Sequence, residues 1–319
     1  MMLLSLDGAT ALAQGVAKHL AEPLAPVEHR PFEDGEHKWR PLSDPRGRDV
    51  FVISALHGDD DNSPQDKLVR LLLMLSTLRD HGAHRVTPVL PYLAYARKDA
   101  RTQPFDPLAT QAVARWMEAS GAGQMLVLEA HNPAALANAF RCPLVMLDAW
   151  RAFDEAADAM VVNGRPVVVA APDPGGVKRA LRWREHLQDR WKQTVGFAMV
   201  DKRRVGSLVT GGQLVAGDVQ GAAVLLLDDI VASGGTLAHA ADALHHAGAA
   251  VVQGFAAHGL FVGDADRVLS ASHLAGLVVT DSVPAFRLPP STAFAPRLKV
   301  VTAARLLARA IGELHQMGR

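Results

Sequence analysis

The run Val224-Leu225-Leu226-Leu227-Asp228-Asp229-Ile230-Val231-Ala232-Ser233-Gly234-Gly235-Thr236 constrains this chain more than any other stretch. Four apolar residues without alternation describe a strand buried on both faces of a parallel sheet. Two adjacent carboxylates follow where that strand is expected to end, and then a Ser-Gly-Gly-Thr turn. Beyond Thr236 the pattern becomes helical: Leu237, Ala240, Ala241 and Leu244 share one face, and Gly248 is a stop signal.

Chemistry follows from that order. Glycines let backbone N–H groups approach a phosphate closely, and a helix N-terminus adds its dipole. Ser233 and Thr236 can donate hydroxyl hydrogen bonds to the same phosphate. Ionised Asp228 and Asp229 only accept, which suits sugar hydroxyls or a hydrated Mg²⁺. The combination reads as a sugar-phosphate site. It is not a Walker loop, because no Lys follows the glycines. An ordinary strand-turn-helix would leave two aspartates at a buried strand end without a purpose.

A chain of 319 residues suggests two domains, each able to bury a good core. Lys plus Arg equals Asp plus Glu at 33 each, which argues against bulk nucleic-acid binding and against a polybasic membrane patch. A single cysteine, Cys142, rules out an intrachain disulfide, fits a reducing compartment, and reads best as a small buried apolar residue. The N-terminus, Met-Met-Leu-Leu-Ser-Leu, is interrupted by Asp7 and has no basic residue before Lys18, so it reads as a first strand rather than a signal peptide. No run is long and apolar enough to span a membrane. The expectation is a cytoplasmic protein.

Strand-like and amphipathic helical runs alternate throughout, which predicts parallel sheets flanked by helices. Strands are expected at 49–54, 85–90 and 124–128, then at 167–171, 195–200, 224–227, 250–255 and 277–280. Helices are expected at 10–19, 66–81 and 108–120, then at 177–187, 236–246, 264–272 and 303–317. The halves look like two copies of one α/β unit, with a boundary near Trp150. The predicted domains are 1–149 and 150–319, the last helix packing back on the first domain.

Ligands of open α/β sheets bind outside the carboxyl ends of the strands, and four further ends carry polar clusters. After 85–90 comes Pro91-Tyr92-Leu93-Ala94-Tyr95-Ala96-Arg97-Lys98-Asp99-Ala100-Arg101, whose cations can hold a polyphosphate or form a solvated loop. After 124–128 comes Glu129-Ala130-His131-Asn132. Most of the 14 histidines need no role, but His131, just past a buried strand, can ligate a metal or a phosphate oxygen. After 167–171 comes Pro172-Asp173-Pro174-Gly175-Gly176-Val177-Lys178-Arg179, in which Asp173 is a Mg²⁺ ligand candidate and the glycines admit a diphosphate or form a turn. After 195–200 comes Asp201-Lys202-Arg203-Arg204 on a long glycine-containing segment, either a solvated charge run or a lid carrying charge to a transferring phosphoryl group. Near the N-terminus, Pro31-Phe32-Glu33-Asp34-Gly35-Glu36 reads as an acidic turn beside an aromatic that can stack on a purine or sit in the core.

The 224–236 run resembles the ribose-phosphate-binding signature of phosphoribosyltransferases and ribose-phosphate pyrophosphokinases alike. Taken with the segments above and Ala257-His258-Gly259-Leu260-Phe261, the chain resembles ribose-phosphate pyrophosphokinases over residues 30–284 and, by motif order, throughout. A plain phosphoribosyltransferase would have one such domain. The resemblance implies an α/β protein of two phosphoribosyltransferase-type domains. It implies transfer of the diphosphoryl group of ATP to the C1 hydroxyl of ribose 5-phosphate, with Mg²⁺. By position, Lys202 and Arg204 resemble the catalytic cations, and His131 and Asp173 the metal and ATP-phosphate ligands. Asp228 and Asp229 would hold the ribose hydroxyls, and Ala232, Ser233, Gly234, Gly235 and Thr236 the 5-phosphate. Arg97 and Lys98 would bind ATP, while Phe32, Asp34 and Glu36 would reach the nucleotide of a neighbouring subunit. That implies a homodimer or homohexamer with a shared ATP site.

Several positions depart from the family pattern. Lys98 stands where the family usually has Gln, and Ala100 and Thr102 replace charged residues, which bears on adenine recognition. Phe105 stands where the best-known members carry an Arg of a regulatory phosphate site, and Phe binds no phosphate, so activation by phosphate and inhibition by ADP are expected to be weak or absent. Ala232 replaces a common Asp, and the Ser-rich segment usual near the N-terminus is not evident at 7–12. Competing readings are a phosphoribosyltransferase, a diphosphokinase for another sugar phosphate, and a silent regulatory subunit that binds nucleotide and partners.

Overall fold

The computed structural model describes residues 1–6, 8–161, 164–201 and 214–317. The chain divides into two compact units, Met1–Asp148 with Thr302–Arg319, and Ala149–Val301.

The first unit runs β1 (Met2–Ser5), α1 (Thr10–Leu20), β2 (Val27–Pro31), β3 (His37–Pro41), β4 (Asp49–Ile53), α2 (Pro64–Asp80), β5 (Arg85–Leu90), α3 (Ala109–Ala119), β6 (Met125–Leu128), α4 (Pro133–Ala139) and β7 (Leu144–Leu147). Five strands form a parallel sheet in the order β1-β4-β5-β6-β7. Its interior strand β4 is buried along its whole length, which is why Asp-Val-Phe-Val-Ile carries no apolar-polar alternation. Strands β2 and β3 form a separate antiparallel hairpin. The Phe32–Glu36 turn, read from the sequence as an acidic turn beside an aromatic, is the tip of that hairpin, with Phe32 donating its N–H to the Glu36 carbonyl at 2.8 Å. The α2 start is a full capping box: the Ser63 hydroxyl accepts from the Asp66 N–H, and the Asp66 carboxylate accepts from the Ser63 N–H.

The second unit continues with α5 (Asp154–Asp158), β8 (Val167–Ala171), α6 (Val177–Trp191), β9 (Gly196–Asp201), β10 (Leu214–Ala216), β11 (Ala223–Val231), α7 (Gly235–His246), β12 (Val251–Gly259), α8 (Ala265–Ser270), β13 (Leu274–Thr280) and β14 (Leu298–Val301). The sheet order is β10-β9-β8-β11-β12-β13-β14, parallel except for β10. A last helix, α9 (Ala304–Met317), belongs to the first unit. There the Arg85 guanidinium donates to the Leu314 carbonyl at 3.0 Å and His315 Nδ1 lies 2.8 Å from the Asp49 carboxylate. Gly15 of α1 leaves room for Ala304: a Cβ on the glycine would lie 2.9 Å from the alanine methyl.

The two sheets differ in one respect that positions a site. In the first unit the strands are laid down in one direction across the sheet. In the second, the chain leaves β8 for β9 on one side and returns to β11 on the other. That reversal is a topological switch point, where the loops after β8 and β11 diverge and leave a crevice. Period-two alternation divides the strands between two cores. Val224 and Leu226 of β11 pack with Leu237, Ala241 and Leu244 of α7, whereas Leu225 and Leu227 pack with Ala180, Trp183 and Leu187 of α6.

Candidate active site

The switch point carries the stretch that dominated the sequence. Strand β11 does not end before the acidic pair, as its apolar run suggested. Its pairing with β8 stops at Leu226, but it runs on beside β12 to Val231, so Asp228 and Asp229 lie within the overhanging strand. Adjacent strand residues face opposite ways, so Asp229 takes the α6 face and Asp228 the α7 face. On the α6 face the Arg179 guanidinium, in the helix's first turn, lies 3.6 Å from Asp229, both side chains being nearly buried. The Asp229 N–H donates to Asp228 Oδ1 at 2.8 Å. Asp228 keeps some solvent-exposed surface, yet its carboxyl is packed among protein atoms. That burial, with the charge of Asp229 beside it, pushes Asp228 well above the usual carboxylate range.

Below the pair, His258 of β12 is buried against Ser282, with Nδ1 2.8 Å from the hydroxyl, and Thr280 and Ser282 both donate to the Ala257 carbonyl. Burial holds the imidazole down to about 4, so it is uncharged at neutral pH. Apart from the Ala257–Phe261 run, nothing in the residue order marks this network.

Ala232, Ser233 and Gly234 form the turn between β11 and α7, and Gly235 and Thr236 open the helix. Gly234 has φ +80, and a Cβ there would stand 2.8 Å from Leu269 of α8, so glycine is required on both counts. The turn is anchored from outside by the Leu260 and Val262 N–H groups, which donate to the Val231 and Ala232 carbonyls. Helix α7 has no side-chain cap and no acid in its first turn. Its N-terminal N–H groups and dipole therefore meet no carboxylate from the helix's own first turn, and Ser233 is exposed beside them.

Asp173 ends the segment after β8. Its Oδ1 accepts from the Gly176 N–H at 3.2 Å and caps a short 3-10 turn, Pro174–Gly176, that leads into α6. Among the described residues no three His, Cys, Asp or Glu side chains gather into a metal cage. Asp173 is a hard, partly exposed oxygen donor. It fits Mg²⁺, which keeps its waters and is held by one or two carboxylates plus substrate phosphates.

In the first unit, Phe32, Asp34 and Glu36 sit together and exposed at the hairpin tip. The Glu36 N–H donates to Asp34 at 3.1 Å, and the Arg30 guanidinium lies 5.4 Å over the Phe32 ring. Phe32 is thus no core residue. Arg97 is exposed on the loop after β5 and His131 on the loop after β6. Lys98 is engaged internally: its ammonium lies 2.5 Å from Asp106, whose carboxylate also accepts from the Thr102 and Gln103 N–H groups. Glu129, two residues before His131, is nearly buried at φ +56, backbone strain of the kind that collects at functional sites. Sequence reasoning gave no role to Glu129 or Arg179, since neither strain nor pairing leaves a pattern in the residue order. Lys202 and Arg204 lie outside the described residues. Burial and the nearby Glu118 push the Cys142 thiol up to about 12, which makes it unreactive. No helix among the described residues is long and apolar enough to cross a membrane.

Comparison with known proteins agrees with this geometry. Family profiles match at residues 1–121 (N-terminal domain of ribose phosphate pyrophosphokinase), 150–258 (phosphoribosyl transferase domain) and 210–318 (phosphoribosyl synthetase-associated domain). A ribose-phosphate pyrophosphokinase of Brucella melitensis is 35% identical over 98% of this chain and 96% of its own length. One from Agrobacterium fabrum is 33% identical over 96% and 94%. The crystal structure of phosphoribosylpyrophosphate synthetase from Mycobacterium smegmatis superposes with a TM-score of 0.85 at 27% identity, covering 99% of this chain and 98% of that one. By its family profiles and by the identity it keeps over nearly the full length of these relatives, the chain belongs to the ribose-phosphate pyrophosphokinase family.

Proposed function

We propose that this chain transfers the β,γ-diphosphoryl group of ATP to the C1 hydroxyl of ribose 5-phosphate, giving phosphoribosyl pyrophosphate and AMP. The observation that carries the reading is the second unit's switch point, where a paired carboxylate and an uncapped helix start share one strand-turn-helix. The α7 N-terminus with Ala232, Ser233, Gly234, Gly235 and Thr236 holds the 5-phosphate, and Asp228 and Asp229 orient the ribose hydroxyls. Full-length relatives named for this activity support the same reading.

The C1 oxygen attacks the β-phosphorus in line. The bond from that phosphorus to the bridging oxygen breaks, AMP leaves with the oxygen, and the C1 hydroxyl proton passes to solvent. Lys202 and Arg204 supply positive charge to the transferring group. Phe32 stacks on the base, Asp34 and Glu36 read its polar edge, and Arg97 and His131 bind the triphosphate, while Lys98 braces its loop through Asp106. Asp173 and His131 are each proposed as a ligand of Mg²⁺, which when bound would neutralise phosphate charge. The exposed hairpin tip serves the nucleotide of a second copy, as a homodimer or homohexamer would allow. The substrates and the lone thiol suit the cytoplasm.

AMP release from ATP and Mg²⁺, with and without ribose 5-phosphate, tests the activity. AMP formation that depends on the sugar phosphate and falls about 10³-fold in Lys202→Ala is the expected result. No sugar-dependent AMP would overturn it and favour another sugar phosphate or a silent subunit.

A further inference from the structure

We propose that Arg179 is a positioning residue of the sugar-phosphate site: from the first turn of α6 it fixes the Asp229 carboxylate in the orientation that accepts from the ribose hydroxyls. The proposal rests on the reading of Asp228 and Asp229 given above.

Three observations carry it. Arg179 and Asp229 are 3.6 Å apart, with side chains only 10% and 8% exposed. They come from the two elements that border the switch point, the helix after β8 and the end of β11. That helix start is seated against the strand, since a Cβ on Gly176 would lie 3.9 Å from the Leu227 carbonyl. Lastly, alternation along β11 leaves Asp229 the acidic residue on the α6 face. A one-residue change of register would turn it away from Arg179.

A buried ion pair is a poor device for stability alone. Desolvation takes back most of the Coulomb gain, and an apolar pair of similar size holds a helix to a sheet equally well. The buried His258 adds no charge to the pair, because it is neutral. What an arginine adds here is direction. A cation directed at a carboxylate oxygen restricts the carboxylate's rotation, which an apolar contact does not. It also ties the acidic pair to the segment that carries Asp173, so the two loops of the crevice share one anchor. The alternative is that the pair is only a cross-link between α6 and the sheet.

The test is steady-state kinetics of the full-length enzyme with ATP, Mg²⁺ and ribose 5-phosphate, for Arg179→Met, Arg179→Lys, Asp229→Asn and the double variant Arg179→Met/Asp229→Asn. Arg179→Met is expected to raise KM for ribose 5-phosphate about 10-fold while KM for ATP stays within about 2-fold, and Arg179→Lys to recover most of the loss. In the Asp229→Asn background, Arg179→Met is expected to add less than about 2-fold, because the carboxylate it orients is gone. A wild-type KM in Arg179→Met, equal losses in the Met and Lys variants, or fully additive effects would each overturn the proposal. Should Arg179→Met fail to fold, Arg179→Lys and the double variant, which leaves no orphaned charge, still decide it. If Asp229→Asn leaves KM for ribose 5-phosphate unchanged, the site reading itself fails. If Asp229→Asn raises it and Arg179→Met does not, only the positioning role fails.

Discussion

Asn132 donates from Nδ2 to Asp99 Oδ2 at 2.7 Å, while its own Oδ1 caps α4 by accepting from the Ala135 N–H. This bond joins the loop that carries Arg97 to the loop that carries His131. Asp99→Ala frees one loop from the other without touching either of those side chains. A partly exposed hydrogen bond to a charged group is worth about 1–2 kcal/mol, so KM for ATP is expected to rise about 5–20-fold with KM for ribose 5-phosphate unchanged. Equal increases for both substrates would speak against the bond as a nucleotide-side device.

Gly234 tests the phosphate turn. Alanine there meets a left-handed backbone and places its methyl 2.8 Å from Leu269. Strain and overlap together are expected to cost about 1–3 kcal/mol of stability, visible as a lower Tm. The displaced N–H groups should raise KM for ribose 5-phosphate at least about 10-fold, and substrate titrations at fixed ATP measure this.

Phosphate response is expected to be weak or absent in this chain. Phe105 is fully exposed, at φ +67, where the family pattern led us to expect no phosphate contact. Initial rates at saturating substrates should stay flat as inorganic phosphate is added. A steep rise would show that another group binds it.

Acid stability has a defined contributor in the second unit. Asp158 accepts from Arg190 Nε and Nη2 at 2.9 and 2.6 Å and from Trp191 Nε1 at 2.7 Å. The guanidinium first, then the indole, hold its carboxyl down to about 2. A depressed carboxylate stabilises fully above its unfolded pKa of about 4, and the contribution is lost as pH falls through the folded value. The two side chains are 37% and 40% exposed, so solvent screening limits the pair to about 1 kcal/mol. Urea unfolding should find Asp158→Asn less stable at pH 7, and the gap to wild type should close as pH falls from about 4 towards 2.

The order of residues alone determined much of this protein. Apolar runs bounded by glycine and acid marked the strands, because a parallel sheet buries both faces and leaves no polar position inside. Leu237, Ala241 and Leu244 marked α7, because a helix against a sheet needs one apolar stripe. Phosphate chemistry at 232–236 was legible for the same local reason: helix starts and glycine turns are built from neighbours in sequence. What tertiary structure decided is where distant residues meet. Lys98 looks like a free cation until the chain folds back and Asp106 neutralises it. Asp228 and Asp229 look equivalent until the strand's overhang and its twofold alternation send one to each face. Arg179 looks like an ordinary helix cation until the crossing from β8 to β11 brings it against Asp229. Pairs of this kind depend on the direction in which each strand is added to the sheet, and a switch of that direction is a property of the assembled sheet.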